Sequence, residues 1–118
     1  MQATLSVVPL SGVTTPDSDI SSLTRYPCEG AALIRLGATC NTAQATLTCR
    51  IVFYDTLGVF VAVSSPVTFT ADPTPLDGTL YLATPSPDAW FPVGGPSIFA
   101  IHVDAVSGGT WTLTPMAS

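Results

Sequence analysis

The chain has 118 residues, enough for one domain with a core of its own. Its net charge is −5, only 9% of its residues are charged, it has no lysine, and its basic side chains are Arg25, Arg35 and Arg50. Three scattered arginines cannot displace counterions along a phosphate backbone or hold an anionic bilayer, which excludes nucleic acid and membrane surfaces as partners.

With so few ions, the outward positions fall to Thr, Ser, Ala, Pro and Gly. Such a surface costs little to desolvate, which favours a protein packed against other protein. No stretch reaches the roughly 18 apolar residues of a membrane-crossing helix. The start, MQATLSVVPL, has neither the basic nor the apolar region of a signal peptide, so synthesis in a cytoplasm is expected.

Taken in chain order, apolar residues alternate with polar ones at the period of a strand, and helical periodicity is weak. Ala3–Val8 sets Ala3, Leu5 and Val7 against Thr4, Ser6 and Val8. Ser11–Pro27 is polar and is expected to be an extended arm, with Arg25 and Tyr26 as partner contacts. Ala31–Leu36 reads as a short apolar strand interrupted by Arg35. Ala45–Tyr54 is the clearest strand. Ala45, Leu47, Cys49, Ile51 and Phe53 face inward, and Val52 and Tyr54 make the opposite face apolar enough to need cover.

Asp55-Thr56-Leu57-Gly58 has the residues of a type I turn closed by a left-handed glycine, and predicts a hairpin with Val59–Ser64. On that return strand Val59, Val61 and Val63 share one face, with Phe60 and Ala62 on the other. Val67–Ala71 follows as a strand, Asp72–Gly78 as a Pro-rich turn and Thr79–Ala83 as another strand. Thr84–Pro96 reads as a long loop with four prolines and two glycines, carrying Trp90 and Phe91 as apolar anchors for a partner. Ser97–Asp104, with Phe99, Ile101 and Val103 on one face, is expected to turn through Val106–Gly109. It then pairs with Thr110–Thr114, and Pro115 ends the ladder. About eight short strands punctuated by Pro and Gly predict a single all-β domain, an antiparallel β-sandwich of jelly-roll type; strand pairing is left open.

Candidate chemistry is sparse. His102 shares a face with Asp104, but no nucleophile elbow accompanies the pair. Glu29 is the sole glutamate, and the aspartates sit mostly in turns, where they serve their own backbone. Asp17 with Asp19, and Asp72 with Asp77, lack the ligand density of a calcium loop. Cys28, Cys40 and Cys49 lack the paired spacing of a zinc site. Cys49 reads as a buried small hydrophobe, and a Cys28–Cys40 bridge is left open. Tyr54, Tyr81, Trp90 and Trp111 could form a carbohydrate platform, although Trp111 alternates with Leu113 as a core residue does. The residues thus point to a non-enzyme with no cofactor, no metal and no catalytic residue.

Three features together resemble the small β-sandwich head decoration (cement) proteins of tailed bacteriophages. They are the start Met1-Gln2-Ala3-Thr4-Leu5, the Thr/Ala/Val-rich strand Ala45–Tyr54 with its Asp55–Gly58 turn, and the closing hairpin Ser97–Leu113. The resemblance implies a virion structural protein on the capsid surface, made in a bacterial cytoplasm. It also implies binding to major capsid protein as a dimer or trimer, which stabilises the shell. The alternative is a carbohydrate-binding or receptor-binding β-sandwich module built on the exposed aromatics.

Overall fold

The computed structural model describes residues 5–6 and 9–118. Among them there is no helix. Eleven strands run in chain order: β1 (Leu5–Ser6), β2 (Leu10–Val13), β3 (Arg25–Pro27), β4 (Leu33–Cys40), β5 (Thr46–Tyr54), β6 (Phe60–Val63), β7 (Val67–Ala71), β8 (Tyr81–Ser86), β9 (Trp90–Pro92), β10 (Ile98–Val106) and β11 (Trp111–Ala117). Every pairing is antiparallel. Of the expected first strand only β1 is described; its other residues lie outside the described ones.

In the first layer β11 pairs with β4 on one flank and with β1 and β2 on the other. The far flank of β4 carries β9 and the start of β8. In the second layer β5 pairs with β10, and β10 with β3. Along the other flank of β5, β7 and β6 lie end to end. Strand β8 joins the layers: Tyr81 and Leu82 pair with β4, and 83–86 pair with β7. The protein is therefore an all-β, sandwich-like fold made from one continuous, curled antiparallel sheet.

One core lies between the layers. Ile34, Leu36, Ala38 and Cys40 of β4 and Trp111 and Leu113 of β11 meet Leu47, Cys49, Ile51 and Phe53 of β5 and Phe99, Ile101 and Val103 of β10. The inward sets of β5 and β10 are those their alternation predicts, and Trp111 is a core residue whose indole N–H donates to the Gly108 carbonyl at 2.9 Å.

Four expectations need correction. First, Ser97–Asp104 and Thr110–Thr114 do not form a hairpin. β10 belongs to the second layer and β11 to the first, so the Gly108-Gly109 turn carries the chain across the sandwich. Secondly, Pro115 does not end the ladder. β11 runs to Ala117, and Pro115 faces Leu36. The paired N–H and C=O groups of Leu33 and Ser118 fix the alternation of that ladder. Pro115 then falls at a position whose missing N–H points away from β4, where a proline is tolerated.

Thirdly, Ser11–Pro27 is not an arm. Its ends enter β2 and β3, and 14–24 lie as a strap on the outer face of the second layer. Asp17 exchanges hydrogen bonds with both backbone groups of Val103, each 2.8 Å long. Leu23 packs on Val52, Tyr54 and Ala100, and the Tyr54 hydroxyl donates to the Ile20 carbonyl at 3.1 Å. The strap is the cover that the apolar outer positions of β5 require. Fourthly, Thr84–Pro96 is not one loop: β8 extends through Ser86, and β9 pairs Trp90, Phe91 and Pro92 with Arg35, Ile34 and Leu33.

Candidate functional site

Among the strands whose burial is described, β6 is the least covered. All four of its residues are exposed, Phe60 to 48%, and Leu57 in the turn before it to 86%. The expected division of β6 into an inner and an outer face therefore fails. The turn that launches it does form as predicted. Gly58 N–H donates to the Asp55 carbonyl at 3.0 Å, and the Asp55 carboxylate accepts from Leu57 and Val59 N–H. Gly58 sits at φ +80°, which favours glycine, and a Cβ there would meet the Arg25 guanidinium at 2.8 Å and displace it.

Among the described residues, no strand pairs with the far side of β6. Val52 and Phe53 pair with Val63 and Ala62, and Tyr54 pairs with Phe60 past a bulge at Val61. Ser64 N–H donates inward to the Ile51 carbonyl at 2.8 Å, and the Ser64 hydroxyl accepts from Ile51 N–H at 2.9 Å. By alternation from Ser64, the N–H and C=O groups of Val63 point outward from the sheet, and the bulge leaves Val61 out of the ladder with β5. No charged residue lies between Asp55 and Asp72. Edge strands usually carry a charge to block unwanted pairing, and this one carries none.

At the segment joining β6 to β7 is a notch of about 370 Å³. It opens where β8 ends at Ser86 and the chain leaves for β9. Buried Phe53, Val67 and Phe91 line it together with exposed Pro66, Asp88 and Trp90. Trp90 is 56% exposed, and the Arg35 guanidinium stacks over its ring at 4.6 Å. Sequence reasoning found β6 as the return strand of the hairpin but missed its exposure and the notch. The available signal was the absence of charge over 56–71 together with five consecutive apolar residues, 59–63, with no polar position to mark a solvent face.

The four expected partner contacts separate. Trp90 and Arg25 are exposed, whereas Phe91 (4% exposed) and Tyr26 (6%) are core residues. Trp90 and Phe91 are neighbours in a strand, so they must face opposite sides. Tyr26 stacks on Phe99 with ring centroids 5.2 Å apart, and burial raises its hydroxyl pKa. Arg25 is committed internally: its guanidinium lies 3.9 Å from the centre of the Tyr54 ring and donates to the Gly58 carbonyl at 3.0 Å. Of the four aromatics considered as a carbohydrate platform, Tyr54 and Trp111 are buried.

His102 and Asp104 do meet. His102 Nδ1 lies 2.6 Å from one Asp104 carboxylate oxygen, and Arg50 Nε donates to the other at 2.8 Å. A bulge in β10 leaves Asp104 outside the register with β5. Both its oxygens are thus engaged, and among the described residues no hydroxyl or thiol is hydrogen-bonded to His102. The cluster borders a cleft of about 300 Å³ with Ile20, Val52, Phe60 and Val63.

All three cysteines are buried free thiols, which answers the open question of a Cys28–Cys40 bridge. Burial raises the Cys28 pKa, and burial with the nearby Asp104 carboxylate pushes Cys49 up to about 12. Such thiols are poor nucleophiles at neutral pH. Asp17 is spent on Val103, and Asp19 accepts from the hydroxyl and N–H of Ser21, which lower its pKa. No protein-family model, curated protein or solved structure matches the chain.

Proposed function

We propose that the chain is a non-enzymatic structural protein of a virion that docks on major capsid protein, as a decoration protein does. The observation that carries this reading is β6: an uncharged apolar strand, exposed on both faces, with one row of backbone groups unpaired. A partner that covers it removes apolar area from water and satisfies those groups at almost no cost in dehydrated ions. Binding only to the assembled shell stabilises that shell by mass action. Self-association into a dimer or trimer would draw on the same charge-poor exterior.

The test is co-sedimentation of the full chain with intact capsids of the phage that encodes it. The chain should pellet with capsids, and a chain carrying Val61→Lys and Val63→Lys should stay in the supernatant with its melting temperature little changed. A wild-type chain that never pellets contradicts the virion reading. A double variant that pellets like wild type contradicts the assignment of β6 as the docking surface.

A further inference from the structure

Strand β5 carries two neighbours end to end on one flank, β7 and then β6. The next row outward is only half filled. β8 covers β7 as far as the pair Thr68–Ser86 and then leaves, so among the described residues no strand lies beside β6 in that row. The notch at Phe53, Phe91 and Trp90 lies at that vacancy. A strand placed there would continue the row of β8, antiparallel to β6, and would face the outward N–H and C=O groups of Val63 and the unladdered backbone of Val61.

Building on the docking role of β6, we infer that an extended segment of the partner protein adds to this edge, seats one apolar side chain in the Trp90 notch and places a Lys or Arg beside Asp88. Strand addition of this kind takes its affinity from main-chain hydrogen bonds and its selectivity from pockets for side chains. Apart from Ser64, Ser65 and Asp88, the notch is lined by aromatic, aliphatic and proline side chains, which suits an apolar anchor. Asp88 is its only charged lining residue, and the whole chain carries −5. A basic partner segment is therefore complementary.

Charge also argues against a second copy as the occupant. The chain has no lysine, and each arginine is already engaged: Arg25 on Tyr54 and Gly58, Arg35 on Trp90, Arg50 on Asp104. Another copy has no free side-chain cation to bring to Asp88, and it adds a second −5.

The probe is a short synthetic peptide of alternating Thr and Val with a central Leu flanked by Lys, alongside a twin with Glu in place of Lys. Trp90 fluorescence reports binding, because Trp111 is fully buried and Trp90→Phe removes the signal. The Lys peptide should give a saturable blue shift. The Glu peptide should bind about fivefold more weakly, with the gap closing at high salt. Val63→Pro removes one outward N–H and should weaken the Lys peptide about tenfold. Val61→Lys, which keeps every backbone donor, should also weaken it by charge repulsion. No saturable shift, undiminished binding to both variants, or equal binding of the two peptides would overturn the inference. Wild-type co-sedimentation with capsids can persist in each of those cases, which separates this failure from that of the virion reading.

Discussion

The two halves of one flank of β5 make an instructive pair. Along Thr46–Cys49 the neighbour is β7, and its Val67, Phe69 and Ala71 are buried. Along Val52–Tyr54 the neighbour is β6, apolar at every position where β7 alternates with threonine, yet exposed throughout. Hydrophobicity alone would bury β6 the more deeply. The difference lies one row further out, where β8 covers β7 and, among the described residues, nothing covers β6. A strand's own alternation states which side chains can be buried; the neighbouring row decides whether they are.

The largest test of that contrast replaces one phenylalanine in each half. Phe69→Ala should cost about 3–5 kcal/mol, because the side chain is wholly inside and leaves a cavity. Phe60→Ala should cost under about 1 kcal/mol, since half of that side chain is already in water. Urea unfolding of both variants measures the gap, and similar losses would erase the distinction.

A second test uses Cys49, the residue of β5 opposite Val67. Its thiol pKa stands at about 12 in the fold against an ordinary 9.0. The group's contribution to stability is therefore intact below about pH 9 and is lost as pH rises towards 12. The fall is on the order of 1 kcal/mol per pH unit, and the raised Cys28 and Tyr26 steepen it. Cys49→Ala should flatten the alkaline decline seen in denaturant titrations at successive pH values.

On the β6 side, Gly58→Ala should destabilise by about 1–2 kcal/mol, through its positive φ and the collision with Arg25. The loss should be concentrated in β6, visible as faster amide exchange there with β7 unchanged. The smallest effect belongs to Arg35→Ala at the notch. Removing an exposed cation stacked on Trp90 should cost at most about 1 kcal/mol, while shifting Trp90 emission.

Much of the second layer was legible in the sequence. The alternation of β5 from Thr46 to Ile51, the Asp55–Gly58 turn and buried Cys49 follow from local pattern and turn chemistry, as does Trp111 in the core face of the first layer. What escaped was set by distant parts of the chain. Two glycines announce a reversal but not the layer that the next strand joins, so β10 and β11 looked like a hairpin. The strap was read as an arm because its polar residues hide Asp17 and Leu23, which act only against Val103 and Val52. Proline-rich 84–96 masked the alternation of Trp90 and Phe91, and with it the fact that only the first is free to touch a partner. The unbroken apolar run of β6 hinted at its exposure, but the cause was illegible for the same reason: no residue within it records that β8 stops at Ser86.

Amide hydrogen exchange at Val61 and Val63, read in the isolated chain and again on capsids, bears most directly on β6 as a docking edge. Both amides should exchange rapidly in the isolated chain, while that of Phe69 stays protected, and both should become protected on the capsid. Exchange at Val61 and Val63 that is equally slow, or equally fast, in the two states would contradict it.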